Sequence, residues 1–137
     1  MGTVLRTELS KRNEYFISKH RRLELVHFCL QYDEWDKKIK EITIYPSANL
    51  NRINTSNREI RDTTSDTAIK VNELTMYMKL VKETCYEADD SIGYWIFLGV
   101  TKGYSFETLK ASYLIPCERS MYYNRYKKFF YLLDKKR

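Results

Sequence analysis

Two apolar seams with the same step run through the first two-thirds of the chain. In SKHRRLELVHFCLQYDEWDKKIKEI, which begins at Ser18, the positions Leu25, Phe28, Tyr32, Trp35, Ile39 and Ile42 advance by threes and fours. That spacing keeps one helix face apolar, so the pattern predicts a single long helix with Ser18 as its N-cap. Over SDTAIKVNELTMYMKLVKETCYE, Val71, Leu74, Met78, Val81 and Cys85 repeat the step, and Ser65 is the predicted N-cap of a second helix. Residues 46–66 between them are polar, rich in Asn, Ser and Thr, and read as a linker. The shared period predicts that the two helices pack as a hairpin or across a dimer. Neither seam reaches four clean heptads, so two helices of an ordinary bundle fit as well. Residues 1–17 carry no pattern and are expected to form a flexible N-terminus.

The pattern changes after residue 88. Asp89, Asp90 and Ser91 precede SIGYWIFLGVTKG, whose apolar density predicts a buried helix ended by Gly103. Ser105 is placed to cap a short helix, FETLKASY, with Glu107 in its first turn. Pro116 then forces a break and holds Ile115 extended. A last helix is predicted from about Glu118 to Lys135. The fold class is therefore all-α: a long N-terminal helical pair over 18–88, then a C-terminal helix-turn-helix over 89–137.

Spacing sorts the residues of this tail. Phe106, Leu109 and Tyr113 form the inward face of the short helix, Met121, Tyr122, Tyr126, Phe129, Phe130 and Leu133 that of the last, and Ile115 plugs the turn. Glu118, Arg119, Ser120, Tyr123, Asn124, Lys127 and Lys128 are left outward. Arginine can bond guanine with two donors and asparagine adenine, whereas lysine and serine more often hold phosphate. Arg119, Ser120, Tyr123 and Asn124 are thus the candidate base readers, with Arg125, Lys127 and Lys128 beside them. Lys135, Lys136 and Arg137 would follow the backbone, and Lys102 and Lys110 are placed to clamp a neighbouring phosphate.

Charge agrees with that placement. Residues 101–137 hold nine Lys or Arg against three acidic residues, and the first hundred residues balance, so the whole +6 sits in the tail. A basic helix face alone is usually just solvated. Confinement of the charge to a helix-turn-helix pattern favours a duplex-DNA partner. Most of the tyrosines in YYNRY fall at core spacing, which argues against stacking on single strands.

Other classes find little support. The chain has 137 residues with Gly 4 and Pro 2, too few for a turn-rich sheet fold. His20 and His27 lie seven apart with no matching Cys or carboxylate set. There is no glycine-rich phosphate loop, so no enzyme activity, cofactor or metal is expected. Cys29, Cys85 and Cys117 form no CxxC pair and read as reduced thiols of a cytoplasmic protein. No run approaches the ~18 apolar residues of a membrane span.

The stretches KHRRLELVHFCLQYDEWDKKI, TSDTAIKVNEL and LIPCERSMYYNRYKKFFYLLDK together resemble the small phage-encoded transcriptional regulators of the RinA/ArpU type. The resemblance runs from about residue 13 onward, and Tyr122 and Tyr123 followed by basic residues are its most telling part. It implies a C-terminal helix-turn-helix similar to the last DNA-binding region of sigma factors, acting as a late-gene activator in a phage or prophage. The chain departs from the family in having Thr67 where a proline is common, and in its longer turn, IPCERSM. The expected partners are double-stranded DNA and, through the N-terminal helices, a second copy or host RNA polymerase. A DNA-packaging subunit of the small terminase type and a helical adaptor for a host protein are the competing expectations.

Overall fold

Serine side chains start two of the helices in this chain. A computed structural model describes residues 13–44 and 57–137. Its regular structure is helical throughout: α1 (Lys19–Leu30), α2 (Tyr32–Ile44), α3 (Asn57–Ala88), α4 (Gly93–Lys102), α5 (Phe106–Tyr113) and α6 (Arg119–Lys136). Ser18 caps α1 by accepting from the Arg21 amide at 3.4 Å, and Ser105 caps α5 by accepting from the Thr108 amide at 3.2 Å. Each bond satisfies one of the amides that a helix start leaves without a partner. The fold class is all-α, as the periodicity predicts.

Two expectations are corrected. The predicted helix over the first seam is two helices that meet at Gln31. The Gln31 amide would ordinarily bond the carbonyl of His27, four residues back. Instead the Gln31 side-chain Nε2 takes that carbonyl at 3.2 Å, and the amide bonds Phe28 at 3.2 Å. A side chain that competes for a backbone acceptor ends the regular ladder there. The second helix starts at Asn57, not at Ser65, so residues 57–66 continue a helix where a linker was expected. The linker residues 46–56 lie outside the described residues, as do residues 1–12.

The chain divides into two compact units, residues 32–79 and residues 1–31 with 80–137. In the first, Trp35 of α2 and Leu74 of α3 are buried, and the rings of Trp35 and Tyr77 lie 5.3 Å apart. Within this unit α2 and α3 meet through these two rings. Ile69 and Met76 stay exposed.

The second unit is built around α4. Ile96 is completely buried, and Leu98 and Val100 nearly so. Gly103 ends the helix in the left-handed region at φ 75°. α1 packs on α4 and α6, bringing Leu25, Phe28 and Cys29 into a core shared with Val81 and Cys85 from the end of α3. The expected boundary at residue 89 is therefore not a boundary of packing, because α1 and the end of α3 complete the core of the helix-turn-helix. Residues 13–17 belong to it too. Ile17 is buried, the Tyr15 amide donates to Asn13 Oδ1 at 2.8 Å, and the Tyr15 ring lies 5.6 Å from that of Tyr131. Where flexibility was expected, a turn docks on α6.

Candidate nucleic-acid interface

The inward side of α6 is decided by aromatic packing. Tyr122, Phe129, Phe130 and Leu133 are buried, and the Tyr122 ring meets that of Phe106 on α5 at 5.8 Å. Burial raises the Tyr122 phenol well above its ordinary value and pushes Tyr126 up to about 12. Tyr122 reaches this depth because α4 has glycine where the two helices cross. A Cβ on Gly99 would stand 2.1 Å from the Tyr122 hydroxyl oxygen. Arg22 of α1, itself buried, lies over the rings of Tyr126 and Phe130 at 5.9 and 5.5 Å. Tyr122, Phe129, Phe130 and Leu133 bear out the spacing argument, whereas Tyr126 is half-buried and Met121 is exposed.

The turn between α5 and α6 places the start of α6. Leu114 adopts φ 53° and ψ 45°, the left-handed region that glycine usually fills, with its side chain 76% exposed. Ile115 then turns inward and is buried, its amide bonded to the Leu109 carbonyl at 3.2 Å. It is the apolar plug expected of such a turn. Pro116 and Cys117 follow, and Glu118 takes the extended geometry of an N-cap without a side-chain capping bond.

Both flanks of α6 are pinned by charge. On one, Arg21 of α1 donates from Nε to Asp134 at 2.6 Å. On the other, Arg125 donates from Nε to Asp89 Oδ2 at 2.9 Å, and Lys136 pairs with Glu87 of α3. The second oxygen of Asp89 accepts from the Ser91 amide and hydroxyl at 2.9 and 2.6 Å, and from the Ile92 amide at 3.3 Å. Burial alone would raise this carboxyl. The bonds from Ser91, Arg125 and the Ile92 amide outweigh that, and its pKa is lowered from the ordinary 3.8.

What stays outward is a strip along α6. At roughly 100° per residue, Ser120, Asn124, Lys127, Lys128, Tyr131 and Lys135 share the face opposite the buried rings. Ser120, Asn124 and Lys135 are exposed, and Lys127, Lys128 and Tyr131 are half-buried. The Lys135 ammonium sits 4.2 Å from the centre of the Tyr131 ring.

The predicted residues divide accordingly. Ser120, Asn124, Lys127 and Lys128 lie together on the strip. Tyr123 lies at its edge, and Arg119, further round the helix toward α5, touches it: the Arg119 guanidinium carbon is 5.4 Å from the centre of the Tyr123 ring. Arg119 also pairs with Glu107 of α5. Arg125 belongs to a structural anchor, because its Nε is held by Asp89 and its Nη1 donates to Asn124 Oδ1 at 2.8 Å. Lys110 is exposed on α5, and its charge bears on the Cys117 thiol in the turn. Lys102 is exposed at the last residue of α4, where it complements the helix dipole. Sequence reasoning missed Tyr131 and Glu107. Tyr131 lies seven residues beyond Asn124 and four beyond Lys127, a spacing that places it on the strip. The Glu107 pairing spans two helices, and no local spacing announces it.

Among the described residues no group of three or more His, Cys, Asp or Glu could hold a metal ion, and no helix is long and apolar enough to cross a membrane. His20 and His27 are both exposed. No protein-family model, curated protein or solved structure matches the chain. The resemblance to the RinA/ArpU regulators thus rests on the quoted stretches alone. What the fold defines, among the described residues, is an all-α arrangement in which a short helix, a turn and a second helix come last.

Proposed function

We propose that this protein binds double-stranded DNA with sequence preference and regulates transcription, α6 being the helix that enters the major groove. The observation that carries the reading is the strip on α6. It combines amide and hydroxyl groups at the start of the helix with lysines along its length, on a helix whose other faces are fixed by packing and ion pairs. A short helix, a tight turn and a second helix with polar side chains at its start form the arrangement that presents such a strip to a groove. Ser120, Tyr123 and Asn124, with Arg119 beside Tyr123, are the base-reading set. Lys127, Lys128 and Lys135 supply attraction to phosphate whatever the sequence.

The resemblance extends this proposal to a phage or prophage late-gene activator, with the N-terminal helices as the contact to host polymerase or to a second copy. Selection of duplexes from a random library with the purified full chain, followed by titration of the selected site, tests the proposal. Enrichment of one motif with saturable binding is the expected result. Absence of any saturable shift on duplex DNA at about 100 mM salt, where phosphate contacts still act, overturns it.

A further inference from the structure

Arg119, the first residue of α6, does not stand free. Glu107, in the first turn of α5, receives its Nη1, and both side chains remain more than half exposed at 55% and 61%. The Tyr123 ring lies against the guanidinium carbon at 5.4 Å. A carboxylate and an aromatic ring therefore hold one arginine from two sides. An isolated exposed ion pair adds little to stability, so folding alone gives weak reason for this pair.

The position of the pair gives a stronger one. Resting on the DNA-binding reading above, we infer that Glu107 is a specificity-determining positioning residue, which neutralises Arg119 toward phosphate and holds it ready for a base edge. Arginine has five N–H donors in a fixed fork. One bond to Glu107 leaves enough of them to meet the two acceptors that guanine offers in the major groove. A phosphate gains nothing comparable, because the guanidinium charge is already balanced and the carboxylate repels the approaching anion. The balance therefore costs every sequence the same attraction, while the bonds that compensate exist only at the right base. Lys128 and Lys135 lie elsewhere on α6 and keep the general attraction.

The test compares full-length wild type with Glu107→Gln, Arg119→Ala and the double variant. Each is titrated with a library-selected site and with random duplex of equal length over a range of salt. Glu107→Gln should bind random duplex several-fold more tightly, with a salt slope steeper by about 0.9, the contribution of one more neutralised phosphate. Affinity for the selected site should change less, so the specific-to-random ratio falls. Against Arg119→Ala, the same Glu-to-Gln change should yield a clearly smaller gain on random duplex. An unchanged or higher ratio in Glu107→Gln overturns the inference, as does an equal gain with Arg119 absent, which would mean simple charge removal. Unaltered thermal melting of Glu107→Gln excludes a folding effect. Failure of the wild type to bind any duplex sinks the DNA-binding reading itself, whereas wild-type binding with a ratio indifferent to Glu107 sinks only this step.

Discussion

Arg125 donates from Nε to Asp89 Oδ2 at 2.9 Å, and through that carboxylate α6 is tied to the turn that starts α4. One side chain thus holds the turn before α4 with one oxygen and fixes the orientation of α6 with the other. The Asp89 side chain is only 12% exposed, so its bonds are shielded from solvent. Loss of hydrogen bonds to a charged group costs about 1.5–3 kcal/mol, and Asp89→Asn is expected to lose stability in that range at neutral pH.

The same carboxylate gives a pH dependence with a defined sign. Its folded pKa lies below the ordinary 3.8. Its contribution is therefore fully present above the unfolded value and is lost as pH falls through the folded one. Urea denaturation should show wild type and Asp89→Asn well separated at pH 7 and drawing together only as pH falls below the ordinary 3.8. A gap that stays constant with pH would contradict the assignment.

Leu114 holds a left-handed conformation with its side chain 76% exposed. The conformation costs an ordinary residue roughly 1–2 kcal/mol, and glycine returns about 0.5–1 kcal/mol of that through the flexibility of its unfolded chain. Leu114→Gly should therefore stabilise the protein by about 0.5–1 kcal/mol, read as a higher denaturant midpoint with unchanged slope.

Gly99 and Tyr122 form a matched pair. Gly99→Ala brings a methyl group to 2.1 Å from the Tyr122 oxygen. Overpacking of ~1–3 kcal/mol should outweigh the ~1 kcal/mol of helix propensity that alanine adds. Tyr122→Phe removes a hydroxyl that is buried with no hydrogen-bond partner among the described residues. The next atom a Cβ would meet is then the ring carbon at 3.4 Å, close to ordinary contact. The double variant should be at least as stable as wild type, and thermal melting of the four proteins measures the coupling.

Thiol chemistry gives an inexpensive check on the core. Cys29 and Cys85 are fully buried, and burial pushes the Cys29 thiol up to about 12. Cys117 is only half-buried in the turn before α6. A thiol reagent should modify Cys117 first in the native protein and reach the other two only on unfolding. Rapid native labelling of Cys29 or Cys85 would contradict the packing of α1 on the end of α3.

Binding predictions separate the two kinds of residue on the strip. Lys128→Ala should weaken selected and random duplexes alike and flatten the salt slope by about 0.9. Asn124→Ala should instead cost ~1–3 kcal/mol at the selected site, with little change on random DNA. Competition titrations at two salt concentrations distinguish the outcomes.

Most of the local architecture was legible in the order of residues. Ser18 and Ser105 cap where short polar side chains should, Gly103 ends α4, and Ile115 fills the turn beside Pro116, because each depends on chemistry within a few residues. The spacing of Tyr122, Phe129, Phe130 and Leu133 likewise assigned the buried face of α6, since helical geometry alone brings them into line. What sequence could not decide was set by partners distant along the chain. Gln31 breaks the first seam through a competition for one carbonyl, a choice that hydrophobic spacing does not register. Arg125 and Arg119 look equivalent as basic residues on one helix. Tertiary packing brings Asp89 to the first and Glu107 to the second, so one becomes an anchor and the other is held beside Tyr123. Local propensity and periodicity determined which helices form and which faces they bury. Only the folded chain, by placing carboxylates from elsewhere in the sequence beside particular arginines, decided which positive charges on α6 are paired within the protein.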